Sequence, residues 1–176
     1  MRCRTITLQA THIWYINPIY LIHNPLKSLN SLEIFIKPWT QASQEAFRIR
    51  KAVFIDEQGV PEEMELDELD AAAHHVLALL GNQCVGTARL VNLGAQSFQI
   101  GRMAVLASCR GQGIGLEILK ALIDRAKSLG ASSLTLHAQV SAIPFYEKLG
   151  FLAQGPMYEE AGIPHRNMML ILPKSI

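Results

Sequence analysis

Three glycines within five residues connect a predicted strand to a predicted amphipathic helix. The strand is 98–106, the loop 110–115 reads RGQGIG, and the helix opens at Gly113 or Gly115. Glycine lets a ligand approach the main chain closely, and the free N–H groups at a helix start attract anions. Because Arg110 can pair with two phosphate oxygens at once, the predicted ligand of this loop is a pyrophosphate.

The remaining chain alternates between strand and helix patterns. Apolar residues at helical spacing predict one helix over 42–54, with Thr40 as its cap, and another that stops at Gly130. A third, short helix is predicted at 142–149. Predicted strands occupy 33–37, 75–80, 84–91, 98–106, 133–138, 151–154 and 167–172. This order predicts a mixed α/β sheet in one domain with helices on both faces.

Composition excludes several functional classes. Of 176 residues, 49% are apolar and 18% charged, which predicts one globular domain. The formal net charge of +1 favours neither a nucleic-acid binder nor a membrane-surface protein. Cys3, Cys84 and Cys109 form no CxxC pair and no metal-ligand spacing with histidine. We therefore expect reduced thiols, no metal and a cytoplasmic protein.

The first 32 residues differ from the rest, because they contain three basic residues and no acid. Their apolar run, 13–22, is interrupted by Asn17-Pro18 and is far shorter than a membrane span. No small-residue cleavage site follows it, so a secretory signal is not expected. Residues 1–32 are predicted to be an N-terminal extension of unknown role, either an appended arm or the product of an upstream start codon.

Eight of the fifteen acidic residues lie between Asp56 and Asp70, a window without Lys or Arg. One interpretation is a solvated acidic loop. The other is a surface that attracts a cationic substrate and raises its local concentration.

The pattern R-x-x-G-x-G at 110–115, following Arg-Met-Ala-Val at 102–105, resembles the coenzyme A loop of the GNAT N-acetyltransferase superfamily. The stretch 142–151, AIPFYEKLGF, resembles that superfamily's helix near the coenzyme thiol. The segments 57–61 and 160–165 are similar to its ElaA-like branch. The resemblance covers 33–173 and implies a mostly antiparallel sheet of six to seven strands with about four helices. It also implies acetyl-CoA as cosubstrate.

The family pattern also implies which residues bind and act. The acetyl thioester would lie along 102–105, where a backbone N–H would polarise its carbonyl and hold the oxyanion of a tetrahedral intermediate; one such donor is worth about 3 kcal/mol. Tyr146 would protonate the departing thiolate. An amine attacks directly, so no Ser or Cys nucleophile is needed, and Cys109 is interpreted as structural. The implied cofactor-binding residues are Met103, Ala104, Val105, Arg110, Gly111, Gln112, Gly113, Ile114, Gly115, Ala142, Phe145 and Tyr146.

The general base stays open at this level. Amines titrate at about 8 to 10, so one proton must be removed before attack. Glu57 and His165 rank first because they lie in the ElaA-like segments. The other candidates are Asp70, His74, Glu159 and Glu160. The acceptor would be a small-molecule or peptide amine, and the protein a monomer or homodimer.

Two alternatives remain. One is a coenzyme A-binding regulatory module without catalytic activity, against which the intact Tyr146 argues. The other is a nucleotide-binding enzyme. It is disfavoured because the glycines are not followed by Lys-Ser or Lys-Thr and no GxGxxG occurs in an early βαβ unit.

Overall fold

The computed structural model describes residues 31–173, so the extension at 1–32 lies almost entirely outside the described residues. Seven strands form one sheet in the order β1-β2-β3-β4-β5-β7-β6. The strands are β1 (Leu32–Pro38), β2 (His74–Leu80), β3 (Gln83–Gly94), β4 (Ser97–Val105), β5 (Ser133–Gln139), β6 (Leu152–Glu160) and β7 (Ile163–Ile171). All neighbours are antiparallel except β4 and β5, which run parallel. The predicted fold class is confirmed.

The helices are α1 (Trp39–Arg50), α2 (Ile114–Ser128) and α3 (Ile143–Glu147). Three α-helices are thus present in residues 31–173, where the sequence predicts about four. Helix α1 continues into π-helical turns over Lys51–Glu57. The predicted cap at Thr40 is wrong: the helix begins at Trp39, directly after the extended Pro38, and its first turn has no side-chain cap.

Helices cover both faces of the sheet, as predicted. On one face α1 buries Ala42, Ala46 and Ile49 against Leu77 and Ala104. On the other, α2 buries a stripe against the alternate residues of β2 and β3 and against β5. The stripe consists of Ile114, Ile118, Leu119, Leu122 and Ala126. The parallel step from β4 to β5 is made by α2, as a crossover connection requires.

The last two strands are longer than predicted and form a hairpin. Its turn is Ala161-Gly162, both with positive φ (50° and 76°), which suits a tight hairpin turn. Glu160 and His165 therefore lie on adjacent strands near the turn, and not in a loop.

No helix in residues 31–173 is long and apolar enough to cross a bilayer.

Candidate active site

The sheet splits between β4 and β5. Their parallel pairing covers only Ser97–Ile100 against Ser133–Leu136, after which β5 continues along β7 alone. Beyond Ile100, β4 is irregular: its register with β3 shifts, and Arg102 has φ +51°. The strand predicted at 98–106 is therefore present, as Ser97–Val105, but it is not regular at Arg102. A cleft opens where the two strands separate.

Two cavities meet on β4. The first, the sheet cleft, measures about 420 Å³ and lies between the end of β4, the end of β5 and the segment 54–69. The second, the loop cavity, measures about 350 Å³ and lies between the glycine loop 110–116 and helix α3. Met103 and Tyr146 line the sheet cleft, whereas Val105 and Phe145 line the loop cavity. Neighbouring residues of β4 and of α3 thus line different cavities, and this boundary between the two is called the junction.

The glycine loop has the conformation of an anion site. Gly111 and Gly113 have φ of +76° and +81°, and the space where a side chain would begin is open at both. Gly113 precedes the first turn of α2, whose leading N–H groups have no partner within the helix. At Gly115 an added Cβ would lie 3.5 Å from Phe145 and 3.6 Å from Met103, so glycine lets α2 approach the cleft closely.

Arg110 is paired with Glu57. Its two terminal nitrogens each donate to a carboxylate oxygen of Glu57 at 2.6 Å, and Nε donates to the Val105 carbonyl oxygen at 2.9 Å. The hydrogen bonds from Arg110 hold the pKa of Glu57 below its usual value. Glu57 thus lies beside the loop cavity and not among the residues lining the sheet cleft. Lys148 also lines the loop cavity, and it has no ion-pair partner in the described chain.

Tyr146 lies at the junction of the two cavities. Its hydroxyl is 3.7 Å from Met103 Sδ, and its ring makes edge contacts with Phe145 and Phe151. Burial raises the pKa of Tyr146 to about 12. The hydroxyl therefore keeps its proton near neutral pH and is available there as a proton donor.

One wall of the sheet cleft carries a polar cluster. His165 on β7 pairs in register with Gln139 on β5, stacks on Tyr158, and its Nδ1–H donates to the Ile163 carbonyl oxygen at 2.8 Å. A carbonyl oxygen can only accept, so in the neutral ring Nε2 is left as a free acceptor. His137 on β5 lies beside it, with Nδ1 3.6 Å from a Glu160 carboxylate oxygen.

The opposite wall corrects the interpretation of the acidic window. Glu65 and Asp70 are only 2% exposed, and with Asp67 they form ion pairs to three arginines from α1, β3 and β4. Burial alone would raise the pKa of Asp67 and Asp70, but the arginine hydrogen bonds and charges lower both. This acid–arginine network consists of Glu65, Asp67, Asp70, Arg50, Arg89 and Arg102.

The network also holds the irregular part of β4 in place. Arg102 donates to the Met64 carbonyl oxygen at 2.9 Å and to the Glu65 carbonyl oxygen at 3.0 Å. A positive φ is unfavourable for a residue with a side chain, and these bonds stabilise Arg102 in it. Thus the buried acids position the strand that separates the two cavities.

The structure separates the residues that the sequence groups together. Of the six candidate bases, only Glu160 and His165 line the sheet cleft. Asp70 is bonded within the network, and His74 lies near Arg125 of α2, where burial lowers its pKa. Ala142 lines the sheet cleft, whereas Ile114 lines the loop cavity. Ala104 packs toward α1, and Gln112 donates to the Ser108 carbonyl oxygen, so neither side chain lines a cavity.

Sequence reasoning missed His137 and Gln139, which also line the sheet cleft. A signal was present, because both follow the apolar part of a predicted strand. Their place in the cleft depends on the separation of β5 from β4, which residue spacing does not indicate. Among residues 31–173, no group of three or more His, Cys, Asp or Glu side chains could hold a metal ion.

Comparison with known proteins identifies the family and the fold. The model of the "Acetyltransferase (GNAT) domain" matches residues 39–172. The Bacillus subtilis protein named "Uncharacterized N-acetyltransferase YjcF" is 39% identical over 127 residues, which make up 72% of this chain and 90% of that protein. Escherichia coli ElaA is 29% identical over 125 residues, or 69% and 82% of the two chains.

Solved structures of related proteins have the same fold. An acyl-CoA N-acyltransferase from Pseudomonas aeruginosa superposes with a TM-score of 0.72 at 28% identity, covering 79% of this chain and 99% of that one. The crystal structure of Escherichia coli ElaA also gives a TM-score of 0.72 over 79% and 99% of the chains. The fold is that of the GNAT acyltransferases. The chain belongs to the GNAT acetyltransferase family, and ElaA is among its homologues, as the sequence predicts.

Proposed function

We propose that this protein is an acetyl-CoA-dependent N-acetyltransferase that acetylates a primary amine by direct attack. The observation that carries the proposal is the junction, where Met103 and Tyr146 line the sheet cleft and their neighbours Val105 and Phe145 line the loop cavity. A donor in one cavity and an acceptor in the other would bring their reacting atoms together there. Membership of the family supports acyl-CoA as the donor.

The residues of the loop cavity fit a pyrophosphate. Gly111 and Gly113 present main chain and open space, α2 presents its positive end, and Lys148 adds a cation that has no partner in the described chain. When bound, acetyl-CoA would supply the reactive thioester. Its anionic part would be held by backbone N–H groups, by Lys148 and by Arg110.

The free edge of β4 supports the next step. Beyond Ile100, this edge has no strand partner among residues 31–173, so those N–H groups of 103–105 that point away from β3 are available to a ligand. Such a donor would polarise the thioester carbonyl and stabilise the oxyanion formed on attack, worth about 3 kcal/mol.

His165 is the proposed general base. Its Nδ1–H bond to the Ile163 carbonyl leaves Nε2 as acceptor, and its ring lines the sheet cleft. A histidine ring nitrogen with a free lone pair is the most common general base in enzymes. Nε2 would take one proton from the ammonium, the neutral nitrogen would form the C–N bond, and the second proton would be lost as the amide forms.

Tyr146 is the proposed general acid. As the C–S bond breaks, the hydroxyl would donate its proton to the sulfur and be reprotonated from solvent. A phenol with a pKa of about 12 is a weak acid. The same burial also raises the pKa of a thiol released beside it, which favours transfer of the proton to the sulfur.

Glu57 is better explained as the counter-ion of Arg110 than as the base. Its carboxylate is held by two hydrogen bonds with a lowered pKa, and it is absent from the lining of the sheet cleft.

A panel of primary amines, incubated with acetyl-CoA and followed by thiol release, tests the proposal. We expect release that depends on both substrates, with acetylated amine as product. Saturating acetyl-CoA should also stabilise the fold, by about 2.7 kcal/mol at about 100 times Kd. Stabilisation without turnover of any amine would favour the regulatory module. If acetyl-CoA neither stabilised the fold nor was turned over, the proposal would be refuted altogether.

A further inference from the structure

The charge inside the sheet cleft is nearly cancelled on one wall. The acid–arginine network contains three acids and three arginines, and its members Glu65, Asp67, Arg89 and Arg102 line the cleft. The lowered pKa values of Asp67 and Asp70 keep these carboxylates ionised, so they stay paired with the arginines. A second positive charge on a substrate would find no unpaired carboxylate on this wall.

The same wall offers apolar surface. Phe54, Val60, Met64 and Leu69 line the cleft, and Met64 and Leu69 remain 47% and 40% exposed. Large apolar side chains left exposed around a cavity are typical of a surface that a ligand covers. A cation placed against them would lose hydration without gaining a partner.

The opposite wall holds one available carboxylate. Of the acids lining the cleft in residues 31–173, Glu160 alone has no arginine partner, and its nearest base is His137 at 3.6 Å. Glu160 lies on β6 opposite Ile163, two residues along the hairpin from His165, the proposed base. This arrangement suits one ammonium group, which Glu160 would attract and His165 would deprotonate.

From these three observations we infer that the acceptor is a small monoamine with an apolar body; the inference rests on the proposed function. The nitrogen binds on the side of Glu160 and His165, and the hydrocarbon lies against Met64 and Leu69. A cavity of about 420 Å³ accommodates a small molecule of this kind. Polyamines and aminoglycosides, which carry several cations, are poor acceptors.

The test compares two amines of equal length, hexylamine and hexamethylenediamine, with acetyl-CoA as donor. The diamine differs only by a second ammonium at the far end. We expect kcat/KM to favour hexylamine by about tenfold or more, even though the diamine has two reactive nitrogens. Leu69→Glu, which places a carboxylate on the apolar wall, should raise the relative rate of the diamine.

A matched control is Leu93→Glu, since Leu93 is 53% exposed and lies outside the cleft lining. It should leave the preference unchanged. Equal or faster acetylation of the diamine by the wild-type protein, or an unchanged preference in Leu69→Glu, would overturn the acceptor class and leave the acetyltransferase proposal standing. Turnover of neither amine by protein that binds acetyl-CoA would overturn both.

Discussion

The loop cavity and the sheet cleft share strand β4, but the chain builds them in opposite ways. The loop cavity is lined by two short stretches, 105–116 and 145–148, and its main chain offers the binding groups. The sheet cleft draws on residues from 54 to 165, and it offers side chains. Backbone recognition depends on conformation, whereas side-chain recognition depends on residue identity. Substitutions in the cleft can therefore change the acceptor without affecting the cosubstrate.

The largest effect on stability is expected from a substitution in the buried acid–arginine network that forms one wall of the cleft. Arg50 is 1% exposed and bonded to Glu65 and Asp70. Arg50→Met would leave both carboxylates buried without this partner, which typically lowers the free energy of unfolding by about 3–5 kcal/mol. Urea denaturation measures the loss. Lys51→Met, which removes an exposed ion pair to Asp56, is the control and should change stability by less than about 1 kcal/mol.

The same network predicts a pH dependence. Asp67 and Asp70 have pKa values below the ordinary 3.8 in the folded protein. Their contribution to stability is therefore present above the unfolded pKa and lost as pH falls through the folded values. Stability of the wild type should decline steeply below pH 3.8, and more steeply than that of Asp70→Asn. Equal slopes for the two proteins would show that Asp70 does not contribute.

At the junction of the two cavities, we expect the largest effect on chemistry alone. Tyr146→Phe removes only the hydroxyl, so kcat should fall by about 10²-fold while the Kd for acetyl-CoA stays constant. An acyl donor with a more acidic thiol should partly rescue the variant. The ultraviolet phenolate signal lost in the variant should titrate at about 12. Full activity would leave Tyr146 with only a packing role.

In the loop cavity, adding one methyl group at Gly113 should have a smaller effect, on the KM for acetyl-CoA. Gly113→Ala places a Cβ where main chain meets ligand and forces a left-handed φ, which costs about 1–2 kcal/mol. We expect the KM for acetyl-CoA to rise more than kcat falls. Gly94→Ala is the matched control, since Gly94 has φ +84° and equally open surroundings but lies in neither cavity lining. The same KM in both variants would contradict the loop assignment.

The smallest effect on kcat is expected for Glu57→Gln. Its size distinguishes a counter-ion of Arg110 from a general base. If Glu57 is only the counter-ion of Arg110, Glu57→Gln should change kcat less than about twofold and lower the KM for acetyl-CoA, because Arg110 becomes free to bind phosphate. Arg110→Ala should raise that KM. If Glu57 is the general base, Glu57→Gln should instead lower kcat by about 10²-fold.

The sequence predicted the loop side better than the cleft side for a physical reason. The glycine loop and α3 are each one contiguous segment, so residue spacing alone places the groups within each of them. The pairing of Glu57 with Arg110 joins residues 53 apart, and that of Asp67 with Arg89 joins residues 22 apart. Composition showed the acids of the window but not the arginines that other strands bring to them.

Local features also failed where tertiary contacts override them. The sequence predicts a strand through Arg102, because no residue next to it indicates a positive φ. The carbonyl groups of Met64 and Glu65 stabilise that conformation from a distant segment. Thr40 has the chemistry of a cap, but the N-cap position is occupied by Pro38, two residues earlier.

The short pairing between β4 and β5 has a mechanical consequence. β1 and β2 are paired along the whole of Leu32–Pro38, whereas β4 and β5 share backbone bonds only over Ser97–Ile100. Past that point, the two halves of the sheet are joined by apolar contacts through the core under α2. Such contacts are not directional, so the width of the cleft can change without breaking a backbone hydrogen bond. The open end of the cleft is therefore spanned by side chains, including the 2.9 Å hydrogen bond that Gln139 donates to Gln58, and not by the backbone ladder of the sheet.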